Sequence, residues 1–486
     1  MKHIHFIGIC GVAMGALAAA FHKEGWQISG SDVGFFPPIS DYLKGNDISF
    51  YPGWHQEKMT ADGDPDIVVV GNVAGSGNAE FIYARKNNLN YKSYPEVIAE
   101  YIVQKNSLIC AGTYGKTSTT ALLTFILEKA GINPSYMFGG LSLNLPVSAK
   151  IKDATMLSAA HTSLPSSQEG LTKQGDGWSV LEGDEYKTAR WDSRPKFKLY
   201  SPTHLLLTSV SWDHADIYPT EETYLQAFKD LISMIPAAGL IVACVDDLKI
   251  KNVLAANVNG ARVITYGKDP TARFSYSQVK QTTAGISFII KHENVEYNIV
   301  APVLGEHMAE NICGCFAMAK EINIDETIIL KSIGEFKGIK RRLEKRCEGK
   351  ITIYDDLGHS PAKAKASLGT LRAIYPHSKI TAIFEPNTGN RKSQSIPGYN
   401  KAFMAADEVI VPTLTRIKTD PKDIDPPFDG KKLAEVISRT QPQTVYIEND
   451  DKLIEYIKNN TKKEDVVVFL GSRGFRGMIE KLVAEN

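Results

Sequence analysis

The run Cys110-Ala111-Gly112-Thr113-Tyr114-Gly115-Lys116-Thr117-Ser118-Thr119-Thr120 constrains the fold more than any other stretch of this chain. It follows the apolar residues Ser107-Leu108-Ile109 and opens a helix-forming segment from Ala121 to Lys129. A strand, a glycine turn, Lys-Thr and then a helix make a cradle for nucleotide phosphates. Gly112 and Gly115 let backbone N–H groups converge on anionic oxygens, and the helix N-terminus adds the positive end of its dipole. Lys116 supplies a mobile cation, and the Thr117 hydroxyl suits a Mg²⁺ ligand. Gly-Lys-Thr can close any tight turn, but such a turn needs neither the strand before it nor the helix after it. A nucleoside triphosphate is therefore the expected ligand.

Nothing else in the composition competes with that reading. Lys+Arg and Asp+Glu both number 55 in 486 residues, so no basic surplus advertises a nucleic acid partner. No apolar run reaches the roughly 18 residues of a membrane span. Met1-Lys2-His3-Ile4-His5-Phe6 reads as a strand rather than a secretion signal. The cysteines at 10, 110, 244, 313, 315 and 347 form no disulfide framework and read as small buried hydrophobes. A cytoplasmic protein is expected, without a membrane partner, as a monomer or weak dimer.

At about 150 residues per domain the length suggests roughly three domains. Residues 1–106 alternate strand and helix signals: strand His3–Ile9, helix Met14–Lys23, strand Trp26–Gly30, strand Asp66–Gly71, helix Ala79–Asn87. That βαβ order argues a doubly wound, Rossmann-like parallel sheet. Its first turn carries Gly8, Gly11 and Gly15, and its second strand ends at Gly30-Ser31-Asp32, where an acid can meet a sugar hydroxyl. Cys10 and Ala13 break the G-x-G-x-x-G spacing, so close strand–helix packing explains the glycines almost as well. Residues 107–343 open with the phosphate loop and continue as mixed α/β, ending in an alternating antiparallel pattern over Phe274–Val300 and a helix over Asn311–Glu321. Residues 344–486 return to βαβ alternation, with strands expected at Ile351–Asp355, Lys379–Phe384, Glu408–Val411, Val445–Glu448 and Val466–Leu470, and a loop over Asp420–Pro427.

Four further constellations carry chemistry. Glu182-Gly183-Asp184-Glu185 follows a predicted buried strand in the same domain as Lys116, which suits Glu182 to a Mg²⁺ ion. Trp212-Asp213-His214-Ala215-Asp216 follows the next strand, making His214 a second metal-ligand candidate between two acids. Lys340-Arg341-Arg342 lies at a domain junction, where one Arg can meet a γ-phosphate as charge develops there. Just beyond, Asp355, Asp356 and His359 end a strand and could orient that Arg or an incoming amine.

In order along essentially the whole chain, these residues resemble the Mur ligase family, ATP-dependent amide-forming enzymes of peptidoglycan assembly. Gly112–Thr117 looks like the family's phosphate loop, Glu182–Tyr186 like its Glu-Ala-Asp-Glu motif, and Asp213–Asp216 like its Asp-His-x-Asp. Gly305–Asn311 is similar to Gly-x-His-Asn-x-x-Asn. Arg341–Glu344 and Asp355–Pro361 match Arg-Arg-x-x and Asp-Asp-x-x-His-His-Pro. The resemblance implies three α/β domains: a Rossmann-like UDP-sugar domain, a P-loop ATPase-like centre and a Rossmann-like C-terminal amine domain. It implies ATP contacts from Gly112, Thr113, Gly115, Lys116, Thr117, Ser118, Asn311 and Arg342, and Mg²⁺ on Thr117, Glu182 and His214. Catalytic roles are implied for Lys116, His214, Arg342, Asp356 and His359.

By the same resemblance, Gly8–Gly15 with Gly30-Ser31-Asp32 points to the muramate-binding branch, so Gly8, Gly11, Gly15, Ser31, Asp32 and Asn72 are expected to meet UDP-N-acetylmuramate. Phe36–Ser40 and Gly71-Asn72 favour a tripeptide, L-alanyl-γ-D-glutamyl-meso-diaminopimelate, as the amine; L-alanine is the alternative. The chain departs from the family at Met308, Ser360, Lys187, the Thr208-Ser209 and Ser211 positions, and an insertion over Leu157–Gly177. A degenerate ligase that uses nucleotide only as a binding switch is one rival reading. A nicotinamide-dependent oxidoreductase, resting on the first segment alone, is another.

Overall fold

Apolar runs such as Ile67-Val68-Val69-Val70 set the frame, because a strand buried on both faces cannot alternate polar with apolar residues. The computed structural model describes residues 1–35, 39–72, 74–152, 177–214, 217–255, 258–415 and 426–486. Phe36–Pro38, Ala215, Asp216, the loop positions 420–425 and the insertion up to residue 176 lie outside them. The described chain divides into two compact units: residues 1–280 with 286–303 and 307–338, and residues 339–486 with 281–285 and 304–306.

The first unit holds two large sheets. β1 (His3–Ile7), β2 (Gln27–Asp32), β3 (Tyr51–Pro52), β4 (Ile67–Val70) and β5 (Tyr91–Ser93) form a parallel sheet in the order β3-β2-β1-β4-β5. The chain leaves β1 through a glycine turn into helix Val12–Lys23. A Cβ on Gly15 would stand 2.8 Å from Ile39 Cγ2, so helix packing alone excludes a side chain there.

The second sheet begins with β6 (Asn106–Ala111), β7 (Ser135–Met137), β8 (Ala149–Lys150) and β9 (Trp178–Gly183). After β9 the chain forms a small separate hairpin, β10 (Lys187–Ala189) with β11 (Asp192–Pro195). It then returns to the sheet as β12 (His204–Leu207), β13 (Leu240–Cys244), β14 (Arg262–Gly267), β15 (Phe274–Thr282), β16 (Gly285–His292) and β17 (Val295–Ala301). The sheet order is β17-β16-β15-β14-β13-β12-β6-β9-β7-β8. β6 is buried along its whole length and pairs in parallel with β12 on one side and β9 on the other. The loops after β6, β9 and β12 therefore emerge at one edge, where the crevice of an open α/β sheet takes its ligand. The expected antiparallel pattern over Phe274–Val300 is β15 to β17, and β16 pairs antiparallel with β17. The hairpin leans on the first sheet: Arg190 Nε donates to the Asn72 carbonyl at 2.8 Å, and Trp191 stacks on Phe81.

The second unit is a six-stranded sheet in the order β18-β19-β23-β20-β21-β22, from β18 (Glu344–Glu348), β19 (Thr352–Asp356), β20 (Ile380–Glu385), β21 (Glu408–Pro412), β22 (Thr444–Ile447) and β23 (Val466–Gly471). All its pairs are parallel except β18 with β19. Alternation along the strands serves two cores: Tyr354, Phe384, Val409 and Val468 face one, and Ile353, Ile383, Ile410 and Phe469 the other. The three large sheets are predominantly parallel α/β layers. Among the described residues no helix is long and apolar enough to cross a membrane.

Candidate active site

The loop after β6 is shaped by two backbone positions that disfavour a side chain. Gly112 has φ +135° and Gly115 φ +82°; Gly115 then caps helix Lys116–Lys129. A Cβ on Gly112 would lie 2.3 Å from Thr208 Oγ1, and one on Gly115 would lie 2.4 Å from Asn311 Oδ1. Residues following β12 brace the loop. The Thr113 amide donates to the Ser209 carbonyl at 2.9 Å, the Tyr114 amide to Ser209 Oγ at 3.1 Å, and Thr208 Oγ1 to the Tyr114 carbonyl. Thr208 and Ser209, which depart from the family pattern, thus hold the loop's path.

Lys116 Nζ donates to the Gly112 carbonyl at 2.6 Å and to both oxygens of Glu185, at 2.8 and 3.1 Å. Glu185 is only 1% exposed. Burial works to lower the Lys116 pKa, but the negative charges of Glu185 and Asp184 outweigh it and hold the ammonium protonated. Tyr224 also donates to Glu185 Oε1, at 3.2 Å, and Thr113 Oγ1 lies 2.9 Å from the same Tyr224 hydroxyl. Three acids within four residues look solvated in the sequence, which is why Glu185 does not stand out there. Its place two residues past the end of β9 was the available signal.

Thr117 Oγ1 donates to Glu182 Oε1 at 2.9 Å, and the Gly139 amide donates to Glu182 Oε2 at 2.7 Å. Hydroxyl and carboxylate are two hard oxygen donors side by side, the kind Mg²⁺ takes with waters completing its shell. His214 stands elsewhere in the constellation: its Nε2 is 3.7 Å from Glu185 Oε1, its φ is +56°, and its ring packs edge-on against Tyr186. Ser118 is half-buried on the first helical turn. Asn311, buried, lies on helix Glu306–Glu321 against Gly115, and its Nδ2 donates to Met308 Sδ at 3.7 Å. Met308 therefore orients the amide that meets the loop.

In the first sheet, the amides of Gly8 and Ile9 donate to the Ser31 carbonyl, at 2.8 and 3.1 Å. Asp32 accepts from the Cys10 amide at 2.9 Å and the Val33 amide at 2.7 Å. Gly8 (φ +91°), Gly11, Ser31 and Asp32 are thus one braced turn, with Gly15 a helical turn inside and Asn72 just past the neighbouring strand. Beneath it Glu80, fully buried, accepts from Ser31 Oγ, Tyr51 OH at 2.7 Å, the His55 amide at 2.9 Å and His5 Nε2 at 3.4 Å. Burial alone would raise the Glu80 pKa, but hydrogen bonds and charge from His5, with Ser31 and Tyr51, bring it below the usual range. The sequence places Glu80 on a first helical turn, where an exposed acid is ordinary, so its burial was not legible.

In the second unit, Arg341 rather than Arg342 is the tied residue. Arg341 Nε donates to Asp355 at 3.2 Å and its Nη2 to the carbonyls of Gly471 and Arg473 at 2.8 and 2.6 Å; Arg342 is exposed. Both Asp356 oxygens already accept, one from the Leu343 amide and one from Ser367 Oγ. His359 Nδ1 is buried without a hydrogen-bond partner. Burial, then the charge of Lys363, lowers the His359 pKa to about 4, so the imidazole is neutral near pH 7. Ser360, where the family has His, caps helix Pro361–Ile374 through the Lys363 amide.

Three family models match in chain order: the Mur ligase family catalytic domain over residues 3–106, the Mur ligase middle domain over 110–319, and the Mur ligase glutamate ligase domain over 341–473. The chain is 28% identical over 491 residues to the UDP-N-acetylmuramate–L-alanyl-γ-D-glutamyl-meso-2,6-diaminoheptandioate ligase of Haemophilus influenzae, with 99% of each chain covered. It is 26% identical to the UDP-N-acetylmuramate–L-alanine ligase of Chlorobium chlorochromatii, covering 97% of this chain and 94% of that one. Among solved structures, the murein peptide ligase of Psychrobacter arcticus superposes with a TM-score of 0.69 at 25% identity, covering 100% of this chain and 98% of its own. With all three domains matched in order along the chain, the protein belongs to the Mur ligase family of ATP-dependent ligases and is an enzyme of that kind.

Proposed function

We propose that this enzyme joins the lactyl carboxylate of UDP-N-acetylmuramate to the free amine of L-alanyl-γ-D-glutamyl-meso-diaminopimelate, using ATP and Mg²⁺, in the reuse of cell-wall peptide. The observation that carries the chemistry is the pairing of Lys116 with Glu185 and of Thr117 with Glu182 at the ends of adjacent strands. The tripeptide is favoured because relatives of that activity from Haemophilus influenzae and Escherichia coli match over 99% of this chain. The alanine-adding ligase is the second reading, favoured by relatives nearly as similar.

The lactyl carboxylate attacks the γ-phosphorus, the bond to the bridging oxygen breaks, and ADP leaves. The acyl phosphate then takes the amine nitrogen at its carbonyl, expels phosphate and loses a proton. Lys116 is the mobile cation for the transferring phosphoryl group, with Arg342 as the second. Gly112, Thr113, Gly115, Ser118 and Asn311 shape the nucleotide's bed. Thr117 and Glu182 are the proposed Mg²⁺ donors, with His214 near Glu185 as a further one; bound there, the ion neutralises phosphate charge. Gly8, Gly11, Gly15, Ser31, Asp32 and Asn72 are assigned to the UDP-sugar. His359, held neutral by burial, and Asp356, whose oxygens already accept from the Leu343 amide and Ser367 Oγ, are assigned to orienting the incoming amine. A cytoplasmic monomer or weak dimer fits these substrates.

The test is ATP turnover with UDP-N-acetylmuramate, offering the tripeptide or L-alanine and weighing the product by mass spectrometry. Tripeptide-dependent ADP release with the matching product is expected. Product only with L-alanine would replace the reading, and nucleotide binding without any amide would favour a switch.

A further inference from the structure

We propose that Cys244, Asp246 and Glu310 form a second cation site, selective for a thiophilic divalent ion such as Zn²⁺ or Co²⁺ and distinct from the Thr117–Glu182 donors. Cys244 ends β13 and is in register with Tyr266 on β14, so both side chains leave the sheet on one face. Helix Glu306–Glu321 covers that face: a Cβ on Gly314 would meet Tyr266 Cζ at 2.7 Å. Glu310, one turn earlier on this helix, closes the group, and one ligand atom from each of the three residues lies within 4.8 Å of the others. Zinc binds thiolate and carboxylate at about 2.0–2.3 Å, which small side-chain rotations would reach. Sulfur with two carboxylates favours Zn²⁺ or Co²⁺ over Mg²⁺ or Ca²⁺.

Two independent observations point to a ligand. A cleft of about 530 Å³, lined by Asp246, Glu310, Lys251, Lys268 and Tyr276, opens the two carboxylates to solvent, while Cys244 itself is buried. The Tyr266 hydroxyl, fully buried and within electrostatic reach of Cys244 and Glu310, has no hydrogen-bond partner. A buried hydroxyl left unsatisfied is costly, and a water on the ion would satisfy it. The Asp246 carboxylate is fixed in place by the Lys268 amide, at 2.7 and 2.9 Å, and the Asp269 amide, at 3.1 Å. Binding displaces the Cys244 thiol proton to solvent as the metal–sulfur bond forms, so affinity rises with pH. The ion would tie β13 to the helix that carries Asn311, and so steady the nucleotide loop.

The experiment titrates chelator-treated full-length protein with Co²⁺ in excess Mg²⁺–ATP. About one equivalent should produce a thiolate-to-cobalt charge-transfer band, which the oxygen and nitrogen donors of Thr117, Glu182 and His214 cannot give. Cys244→Ala should abolish the band. Glu310→Gln should weaken Co²⁺ by more than the roughly hundredfold that a lost outer-shell partner costs at most. Cys10→Ala and Cys347→Ala should keep the band. No band, a band persisting in Cys244→Ala, or unchanged affinity in Glu310→Gln overturns the site. If Cys244→Ala does not fold, Glu310→Gln decides alone.

Discussion

Gly115→Ala probes the phosphate loop at the point where backbone conformation and side-chain contact coincide. A side chain at φ +82° carries about 1–2 kcal/mol of left-handed strain. Its Cβ would also overlap Asn311 Oδ1 at 2.4 Å, and overpacking a buried neighbour adds about 1–3 kcal/mol. The sum, about 2–5 kcal/mol, should appear as a lower melting temperature, at roughly 2–4 °C per kcal/mol for domains of this size. Displacing Asn311 should also raise the KM for ATP by about tenfold, the equivalent of ~1.4 kcal/mol. Differential scanning and phosphate release at saturating UDP-sugar measure the two effects. Adding Asn311→Ala removes the collision, so the double variant should lose less stability than the two single variants summed, while its KM stays high. An unchanged KM and melting temperature in Gly115→Ala, or strictly additive losses in the double variant, would refute the reasoning.

Lys116→Ala should abolish ADP formation and leave UDP-sugar binding by calorimetry largely intact; retention of most ATPase activity would sink the role given to Lys116. The same change leaves Glu185 buried without its cation, a loss of about 3–5 kcal/mol that Lys116→Ala/Glu185→Gln should partly restore in urea unfolding. Glu80→Gln should destabilise the first sheet by about 2–3 kcal/mol and weaken UDP-N-acetylmuramate binding without changing ATP affinity, since Ser31 loses its charged acceptor. For His359, the folded pKa of about 4 lies below the ordinary 6.5, so the unfolded chain binds the extra proton first. Its contribution is complete above pH 6.5 and lost as pH falls toward 4. His359→Gln should therefore flatten the acid side of the stability profile, and an unaltered slope would contradict the buried neutral imidazole.

The long buried strands were readable because burial on both faces leaves an apolar run: β4, β6, β21 and β23 all fall where such runs predict them. β7 and β8, of three and two residues, carry no periodicity at all, and only their pairing in the sheet defines them. The turn over Gly112–Lys116 was legible because its glycines answer a local backbone demand. Glu185 and Glu80 were not, because what buries them is contributed by residues far away in sequence: Lys116 and Tyr224 for one, His5 and Tyr51 for the other. Helix Glu306–Glu321 starts ahead of its expected beginning at Asn311, because the Gly305 motif already lies at its first turn.

β6 lies between two strands that the ribosome has yet to make when it emerges. Its partners β9 and β12 begin at Trp178 and His204, so both of its edges wait for later sequence. At about 5–20 residues per second, that interval lasts on the order of several seconds, with an apolar strand and its glycine turn unprotected. The strand and turn that open the second sheet are thus open to wrong pairing for that part of synthesis.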